Sequence, residues 1–452
     1  MTMSTKRTRL IQPLCNGLLL SSLLLGLIGA EREAIAHSAP ANPLFDWSTK
    51  IKHIVFIIKE NHTFDSYFGR FEPSPYGATK GLICTDYDNA GHTCNKSKSI
   101  ALDKAPDNPP NFKHERDAAV IDYDNGKMDA FNIGSKSPNC DSSSHPCYIA
   151  ARSSLIPGYW ELAKNFVLND NGFSSFMGPS FPNHLYTVAA ASGPDIKHSA
   201  IANPQFQKGL LSWGCDADPA TRVELFDAPS VFPCFKFKTL ADRMDERHIT
   251  WNYFTPAKGD PGYTLNALDA FKKDYLSPNI IADTSFNQFD MTAKSGTLPQ
   301  FSWVVPPNAK TEHPGSKSGN GSCEGQNWTM DRIKAIASNP TQWSQTLIVV
   351  AWDDFGGLYD HVRPPTVDKL GEGFRVPFLI ISPFAKATDN TGHPHISHVR
   401  LEFSSVLQFA EHIFGLGVGS LGGRDTLSSI DNLAEELDPA TNNPPPTLKY
   451  CP

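Results

Sequence analysis

Four short, predominantly apolar runs constrain this chain most: Ile51 to Ile58 (IKHIVFII), Phe301 to Val305, Thr346 to Ala351 and Val376 to Ile381 (VPFLII). Runs of this length without polar alternation suit strands buried on both faces, which requires helices above and below a largely parallel sheet. Helical patterns lie between and after them, at Met330 to Ala337 and at Leu401 to Phe414, where Phe403, Val406, Leu407, Ala410, Ile413 and Phe414 share one face and Gly415 stops the run. The expectation is an α/β sandwich whose ligands collect at the carboxyl ends of the strands.

Those ends are rich in oxygen donors. Residues Trp352 to Pro365 read WDDFGGLYDHVRPP, so Asp353 and Asp354 follow the third run directly. Two adjacent carboxylates at a buried strand end repel each other and resist desolvation unless a cation or strong donors compensate them. The first run ends in Lys59-Glu60-Asn61-His62, and Glu60 with Asn61 adds two hard donors. Alone, Glu60-Asn61 reads as a solvated turn. Together the clusters predict a divalent metal site of Glu60, Asn61, Asp353 and Asp354, and all-oxygen ligation points to Ca, Mg, Mn or Fe over thiolate zinc.

A third segment, GPSFPNH from Gly178, precedes a helical run from Leu185 to Ala191. Pro182 suits a first helical turn, so Ser180 falls at or just before a helix N-terminus, where backbone N–H groups favour an anion. Ser180 then serves as a plain N-cap or as a nucleophile. A nucleophile needs activation, which metal coordination supplies without a Ser-His-Asp triad. His313, in a Gly-rich loop after a strand, and His114, in a polar segment, are candidates to donate to phosphate oxygens or to protonate a leaving oxygen. His361 and His398 are weaker candidates, since each can simply bridge loops.

Residues 1–36 read as a secretory signal, with Lys6, Arg7 and Arg9 ahead of the apolar Gly17 to Ala30 and small residues at Ala34 and Ala36. No second membrane segment follows, so a secreted or periplasmic protein without an integral membrane segment is expected once the signal is removed. Residues 37–452 are expected to form a single domain, with 70–150 and parts of 181–240 as cap-like insertions. Apart from Cys15, eight of the nine cysteines remain. In an exported chain disulfides are expected, and loop positions suggest Cys84–Cys94, Cys140–Cys147, Cys215–Cys234 and Cys323–Cys451. A net charge of −7 gives no case for nucleic-acid binding, but a local cation still permits a phosphate substrate.

The segments IKHIVFIIKENHTFDSYFG from Ile51, NGKMDAF from Asn125, GPSFPNH from Gly178, CFKFKTLADRMDERHITWNYF from Cys234, EHP from Glu312, WDDFGGLYDHVRPP from Trp352, GFRVPFLIISPFAK from Gly373 and SHVRLEFSSVLQFAEHIFGL from Ser397 span nearly all of 37–452. In this order the chain resembles the bacterial phosphoesterase family of non-hemolytic phospholipases C and related acid phosphatases. The resemblance implies an alkaline-phosphatase-like three-layer fold and metal-assisted hydrolysis of a phosphate ester. It assigns Glu60, Asn61, Asp353 and Asp354 to the metal, Ser180 to the nucleophile, and His114 and His313 to phosphate contact. His62 and His184 stand where family members usually carry Arg, so two permanent cations are missing.

Activity of phospholipase C type on a phosphodiester, through a phosphoserine, is the reading this implies; acid phosphatase activity on monoesters is the alternative. The substrate is a phosphate ester, phospholipid included. A non-catalytic exported binding protein on the same fold would need no nucleophile beside paired carboxylates. A lipid diester needs apolar access, for which Phe173, Phe176, Phe181, Trp213 and Tyr253 are candidates if they do not pack a core.

Overall fold

All four apolar runs become strands in the computed structural model, which describes residues 45–72, 74, 76–205, 212–315, 321–388 and 393–452. The expected signal lies outside the described residues. In chain order the strands are β1 His53–Lys59, β2 Lys80–Asp88, β3 Thr93–Ala101, β4 Asp103–Lys104, β5 Ile149–Ala150, β6 Val167–Asn169, β7 Trp251–Thr255, β8 Ile280–Ala282, β9 Phe301–Val304, β10 Thr346–Trp352, β11 Phe378–Ile381 and β12 Ile396–Ser397. Eight of these build one sheet in the order β12-β6-β11-β10-β1-β9-β7-β8. Pairing is parallel from β10 through β1, β9 and β7 to β8, and between β6 and β12. Strand β11 runs antiparallel to β10 and β6.

Register determines what each face buries. Phe56 pairs with Trp303, Ile58 with Ala351 and Ala351 with Phe378, so these side chains share one face of the pleat. Trp303 Nε1 donates to the Thr187 carbonyl at 2.9 Å, which brings the helix Ser180–Ala189 onto that face. Phe403, opening the helix Phe403–Ile413, packs there too, its ring centroid 6.4 Å from Phe56 and 6.0 Å from Phe378. Lys59 and Trp352 pair on the opposite face. Trp352 meets Tyr159 of the helix Pro157–Asn165 edge-on at 5.1 Å, and Lys59 Nζ lies 5.1 Å over Trp328 of the helix Ser322–Ala337. The result is the expected α/β sandwich of three layers, with its mostly parallel sheet covered on both sides.

The 70–150 stretch contributes the β2–β3 hairpin and the short β4–β5 pair. A second apolar cluster there, including Ile83, Phe112, Phe131 and Tyr148, packs on Phe355, Tyr359 and Phe374 and thereby clamps the chain that follows β10. Disulfides Cys84–Cys94, Cys140–Cys147 and Cys215–Cys234 are closed as expected. Cys323 and Cys451 are not bonded to each other. The Cys451 thiol donates to the Leu155 carbonyl at 3.2 Å, accepts from Gln326 Nε2 at 3.3 Å and also meets the Cys323 thiol. Among the described residues no helix is long and apolar enough to cross a membrane.

Beside the carboxyl ends of the central strands, Arg375 is fully buried and fully paired. Its guanidinium reaches Asp65 Oδ1 at 3.0 Å and Asp360 Oδ1 at 3.1 Å, and it donates to the carbonyls of Tyr76 and Asp170. His361 joins through Asp65 Oδ2 at 2.6 Å. Asp65, Asp360 and His361 lie close enough together to suggest a metal cluster. Arg375 supplies the positive charge that a metal would, so Asp360 and His361 are structural. Removing one partner of such a network strands buried charge, and Arg375→Ala is expected to cost about 3–5 kcal/mol of stability. Urea unfolding of the variant measures it; a loss below about 1 kcal/mol would mean the network contributes no more than a surface ion pair.

Candidate functional site

The carboxyl ends of β1 and β10 are neighbours, so Glu60-Asn61 and Asp353-Asp354 emerge side by side although nearly 300 residues separate them in the chain. Backbone amides lock the acidic pair: the N–H groups of Asn61 and Asp354 donate to Asp353 Oδ1 at 2.9 and 2.7 Å, and Gly356 N–H donates to Asp354 Oδ1 at 2.8 Å. Gly356 has φ +60° and a Cβ there would meet the Asn61 carbonyl oxygen at 2.4 Å, so only glycine fits the turn. Asn61 Nδ2 also donates to Asp354 Oδ1, at 2.7 Å. That bond orients the amide and leaves Asn61 Oδ1 buried without a partner, as is Asp353 Oδ2.

Ser180 opens its helix instead of capping it. Its hydroxyl makes no capping bond; Pro179 is the N-cap residue, and the Asn203 side chain accepts from Phe181 N–H at 2.9 Å. The helix begins five residues before Leu185, because the Pro182 ring is tolerated inside a first turn where no intrahelical N–H bond is lost. Freed from capping, Ser180 Oγ lies 3.2 Å from Asp354 Oδ2 and 3.5 Å from Glu60 Oε2. Serine and acidic clusters, expected from separate segments, converge on one buried point.

His184 is the residue whose placement sequence reasoning missed. It sits one turn after Ser180, so the two share a helix face. Its Nε2 is 2.8 Å from Glu60 Oε1 and 3.6 Å from Asp353 Oδ2, while Nδ1 is buried without a partner. Ligand atoms of Glu60, His184 and Asp353 all lie within 4.8 Å of one another. The i, i+4 spacing from Ser180 was visible in the sequence; its direction relative to β1 was not.

Electrostatics make this cluster able to hold a cation. Burial pushes Glu60 up to about 7, with Asp353 adding to the effect. Burial, then Asp353 and Glu60, hold Asp354 well above the carboxylate range. Burial alone would discharge His184, but the neighbouring Asp353 and Glu60 carboxylates outweigh that and hold it at about 9. Asp353 moves the other way: His184 outweighs its burial and holds it below its ordinary value. A protonated His184 thus supplies part of the missing positive charge. The unpartnered Asn61 Oδ1 and Asp353 Oδ2, beside two further carboxylates, fit a divalent cation. Once deprotonated, His184 would add a nitrogen to the candidate donors, so a mixed nitrogen and oxygen set, which also suits transition metals, stands beside the all-oxygen one.

His114 and His313 form the other wall, with ring centroids 5.8 Å apart. His114 Nε2 is 3.2 Å from Asn61 Nδ2, and its Nδ1 is 2.7 Å from the Phe112 carbonyl. His313 Nδ1 lies 2.8 Å from the Pro314 carbonyl. In each ring a proton on Nδ1 satisfies the carbonyl, leaving Nε2 as an acceptor. Burial, followed by repulsion from His114, takes His313 down to about 4, so it is neutral at pH 7.

Under this wall sits Glu312, whose role the sequence did not disclose. Its carboxylate accepts from Tyr159 at 2.6 Å, Tyr67 at 2.8 Å and Trp352 Nε1 at 3.0 Å, and it pairs with fully buried Lys59 at 3.2 Å. His62 belongs to the same support. Its ring stacks on Tyr67 at 4.1 Å and bonds the Glu312 carbonyl at 3.2 Å through Nε2, and burial takes it down to about 3, so it brings no cation to the cluster. A Cβ on Gly325 would come 2.1 Å from Glu312 Cγ. Because Glu312 is held by four partners and cannot yield, Gly325→Ala is expected to cost about 1–3 kcal/mol, read as a lower denaturation midpoint; an unchanged midpoint would show that the knot relaxes freely.

Of the residues expected to flank a lipid, Phe173, Phe176, Phe181 and Tyr253 are buried in the core and Trp213 is half-buried. His398 lies apart from the cluster, its Nδ1 2.7 Å from Asp170 Oδ1.

Residues 51–417 match the model of the Phosphoesterase family. The chain belongs to this family. Similar proteins include a non-hemolytic phospholipase C of Burkholderia pseudomallei, 26% identical over 430 residues that cover 85% of this chain and 57% of that protein. Phospholipase C B of Mycobacterium tuberculosis is 25% identical over 89% of this chain and 82% of its own. The plant non-specific phospholipase C6 of Arabidopsis thaliana is 24% identical over 89% and 75%. This phosphoesterase-family chain spans a little over half the length of the Burkholderia and Pseudomonas relatives, at 57% and 54%. A solved alkaline phosphatase superfamily protein from Vibrio parahaemolyticus matches with a TM-score of 0.33 and 13% identity, covering 76% of this chain and 74% of that one.

Proposed function

We propose that this chain is a secreted, metal-dependent phosphoesterase that uses Ser180 as nucleophile on the phosphodiester of phospholipids. One observation carries the reading: Ser180 Oγ is 3.2 Å from Asp354 Oδ2, next to the unpartnered ligand oxygens of Asn61 and Asp353. Glu60, Asn61, Asp353 and Asp354, with His184, would hold a divalent cation, which would supply a lowered hydroxyl pKa and polarisation of a phosphoryl oxygen. The chain's own residues do the rest. Asp354 orients the Ser180 hydroxyl and takes its proton as Oγ bonds phosphorus, then passes that proton to the ester oxygen as its bond to phosphorus breaks, so that it leaves as an alcohol. Neutral His313 then accepts a proton from the water that attacks the phosphoserine, and a proton returns from it to Oγ as the phosphorus–Oγ bond breaks, which restores the Ser180 hydroxyl. His114 keeps Asn61 in place through its Nε2.

A second reading, hydrolysis of phosphomonoesters, is favoured by the burial of Ser180, only 2% exposed, and by aromatic residues that pack the core where lipid access was sought. Turnover of p-nitrophenyl phosphate and of p-nitrophenylphosphorylcholine, each with and without chelator, separates the readings. Chelator-sensitive cleavage of the choline diester supports phospholipase C chemistry, and cleavage of the monoester alone supports a phosphatase. Inactivity on both after metal loading would overturn catalysis in favour of a binding protein.

A further inference from the structure

A cavity of about 930 Å³ shares none of its lining residues with the Ser180 cluster. Three segments build it. The turn after the helix Phe64–Phe68 supplies Arg70 and Phe71, the helix Pro157–Asn165 supplies Trp160 and Lys164, and the approach to β12 supplies His393 and His395. Trp160 and Lys164 are four residues apart and therefore neighbours on one helix face. Phe71 is buried and meets Trp160 edge-on at 5.2 Å, while Trp160 Nε1 donates to the Tyr67 carbonyl at 3.1 Å. The aromatic wall is thus held from behind.

Charge distinguishes this cavity. The buried arginines are matched, Arg375 with Asp65 and Asp360, Arg332 with Asp290 and Arg424 with Asp368. Among the described residues no carboxylate lies within ion-pair distance of Arg70 or Lys164. Arg70 donates to the Leu102 carbonyl, but its Nε is buried without a partner. Among the described lining residues the acid is Glu72, facing the two permanent cations Arg70 and Lys164. Unmatched cations sharing a concave wall draw in an anion, and guanidinium and ammonium groups bind phosphate by charge-assisted hydrogen bonds. The volume suits a small-molecule ligand, and Phe71 and Trp160 would cover an apolar portion.

The geometry points to a second anion site, which binds a phosphate-bearing group away from the nucleophile. The choice of phosphate among anions rests on the function proposed above; the existence of the site does not. Its source is a lipid head group or free phosphate, and the probes distinguish them.

Binding of the full chain to phosphatidylglycerol vesicles, to phosphatidylcholine vesicles and to inorganic phosphate is compared between wild type and an Arg70→Ala/Lys164→Ala variant. Phosphate held at the Ser180 cluster is common to both proteins and cancels. The double variant is expected to bind its anionic probe about ten-fold or more weakly, while hydrolysis of p-nitrophenyl phosphate stays at the wild-type rate. Loss confined to phosphatidylglycerol vesicles identifies a head-group site, and loss confined to phosphate identifies a site for the free anion. Lys164→Glu, at an exposed position, gives the same direction without altering buried packing. Equal binding by wild type and both variants, or no binding of either anionic probe by wild type, overturns the proposal. Failure of hydrolysis with vesicle or phosphate binding intact would instead count against the proposed catalysis and leave this site standing.

Discussion

Ser180→Ala is expected to reduce phosphoester turnover on the order of 10⁴-fold or more, with the fold and the metal affinity largely retained. The expectation follows from what the hydroxyl touches. Ser180 Oγ bonds toward the acidic cluster, to Asp354 and Glu60, and the helix cap comes from Asn203, so removing one oxygen costs little structure. On the proposed role, loss of the nucleophile would leave only electrostatic and positioning effects, as happens in hydrolases that act through a covalent intermediate. The measurement is kcat on p-nitrophenyl phosphate for metal-loaded variant and wild type, beside thermal unfolding of both. A correctly folded variant that keeps a tenth of the activity (about 1.4 kcal/mol of barrier) would remove Ser180 from the mechanism.

Metal removal is the second large effect. Without a cation, Glu60, Asp353 and Asp354 face one another with His184 as the nearby positive group. Chelation is expected to abolish turnover and to lower the unfolding temperature. Saturating metal stabilises the folded state by about 3–4 kcal/mol when it exceeds its dissociation constant 100- to 1,000-fold. Asp353→Asn removes a formal charge while keeping nearly the same shape, and it is expected to lose both the activity and the thermal response to metal. Calorimetric scans of wild type and variant, with metal and with chelator, check this. The metal-site assignment does not survive if Asp353→Asn keeps the full metal-induced shift.

Strand identity was legible because the runs at Ile51, Phe301, Thr346 and Val376 are too apolar to be covered on one face alone. Their ends were legible too: adjacent Asp353 and Asp354 pose a charge problem in any fold, and Glu60-Asn61 ends a run of the same kind. Helix starts were less so. The Ser180 helix begins ahead of its apolar pattern, since Pro182 masked the first turn. Cys323 and Cys451 were expected to form a disulfide; their thiols meet as a hydrogen-bonded pair, without a covalent bond.

Roles that depend on direction were hidden. His62 and His184 look alike in the sequence, each standing where an arginine was expected. One is buried neutral against Tyr67, and the other stands between Glu60 and Asp353. Glu312 lies next to His313, yet its backbone sits at φ +76° and its carboxylate turns to Lys59 and two tyrosines. Spacing along the chain does not encode such a turn.

By itself the sequence determined an α/β sheet with acidic, metal-competent strand ends and a serine near a helix start, because burial of continuous apolar runs and repulsion between adjacent carboxylates are local consequences of composition. Only the tertiary structure decided that His184 completes the cluster, that His114 and His313 present acceptor nitrogens, and that Arg375 neutralises Asp360. These depend on β1 meeting β10 in parallel register and on the phase of the Ser180 helix above the sheet, which fix side-chain direction across nearly 300 residues of chain.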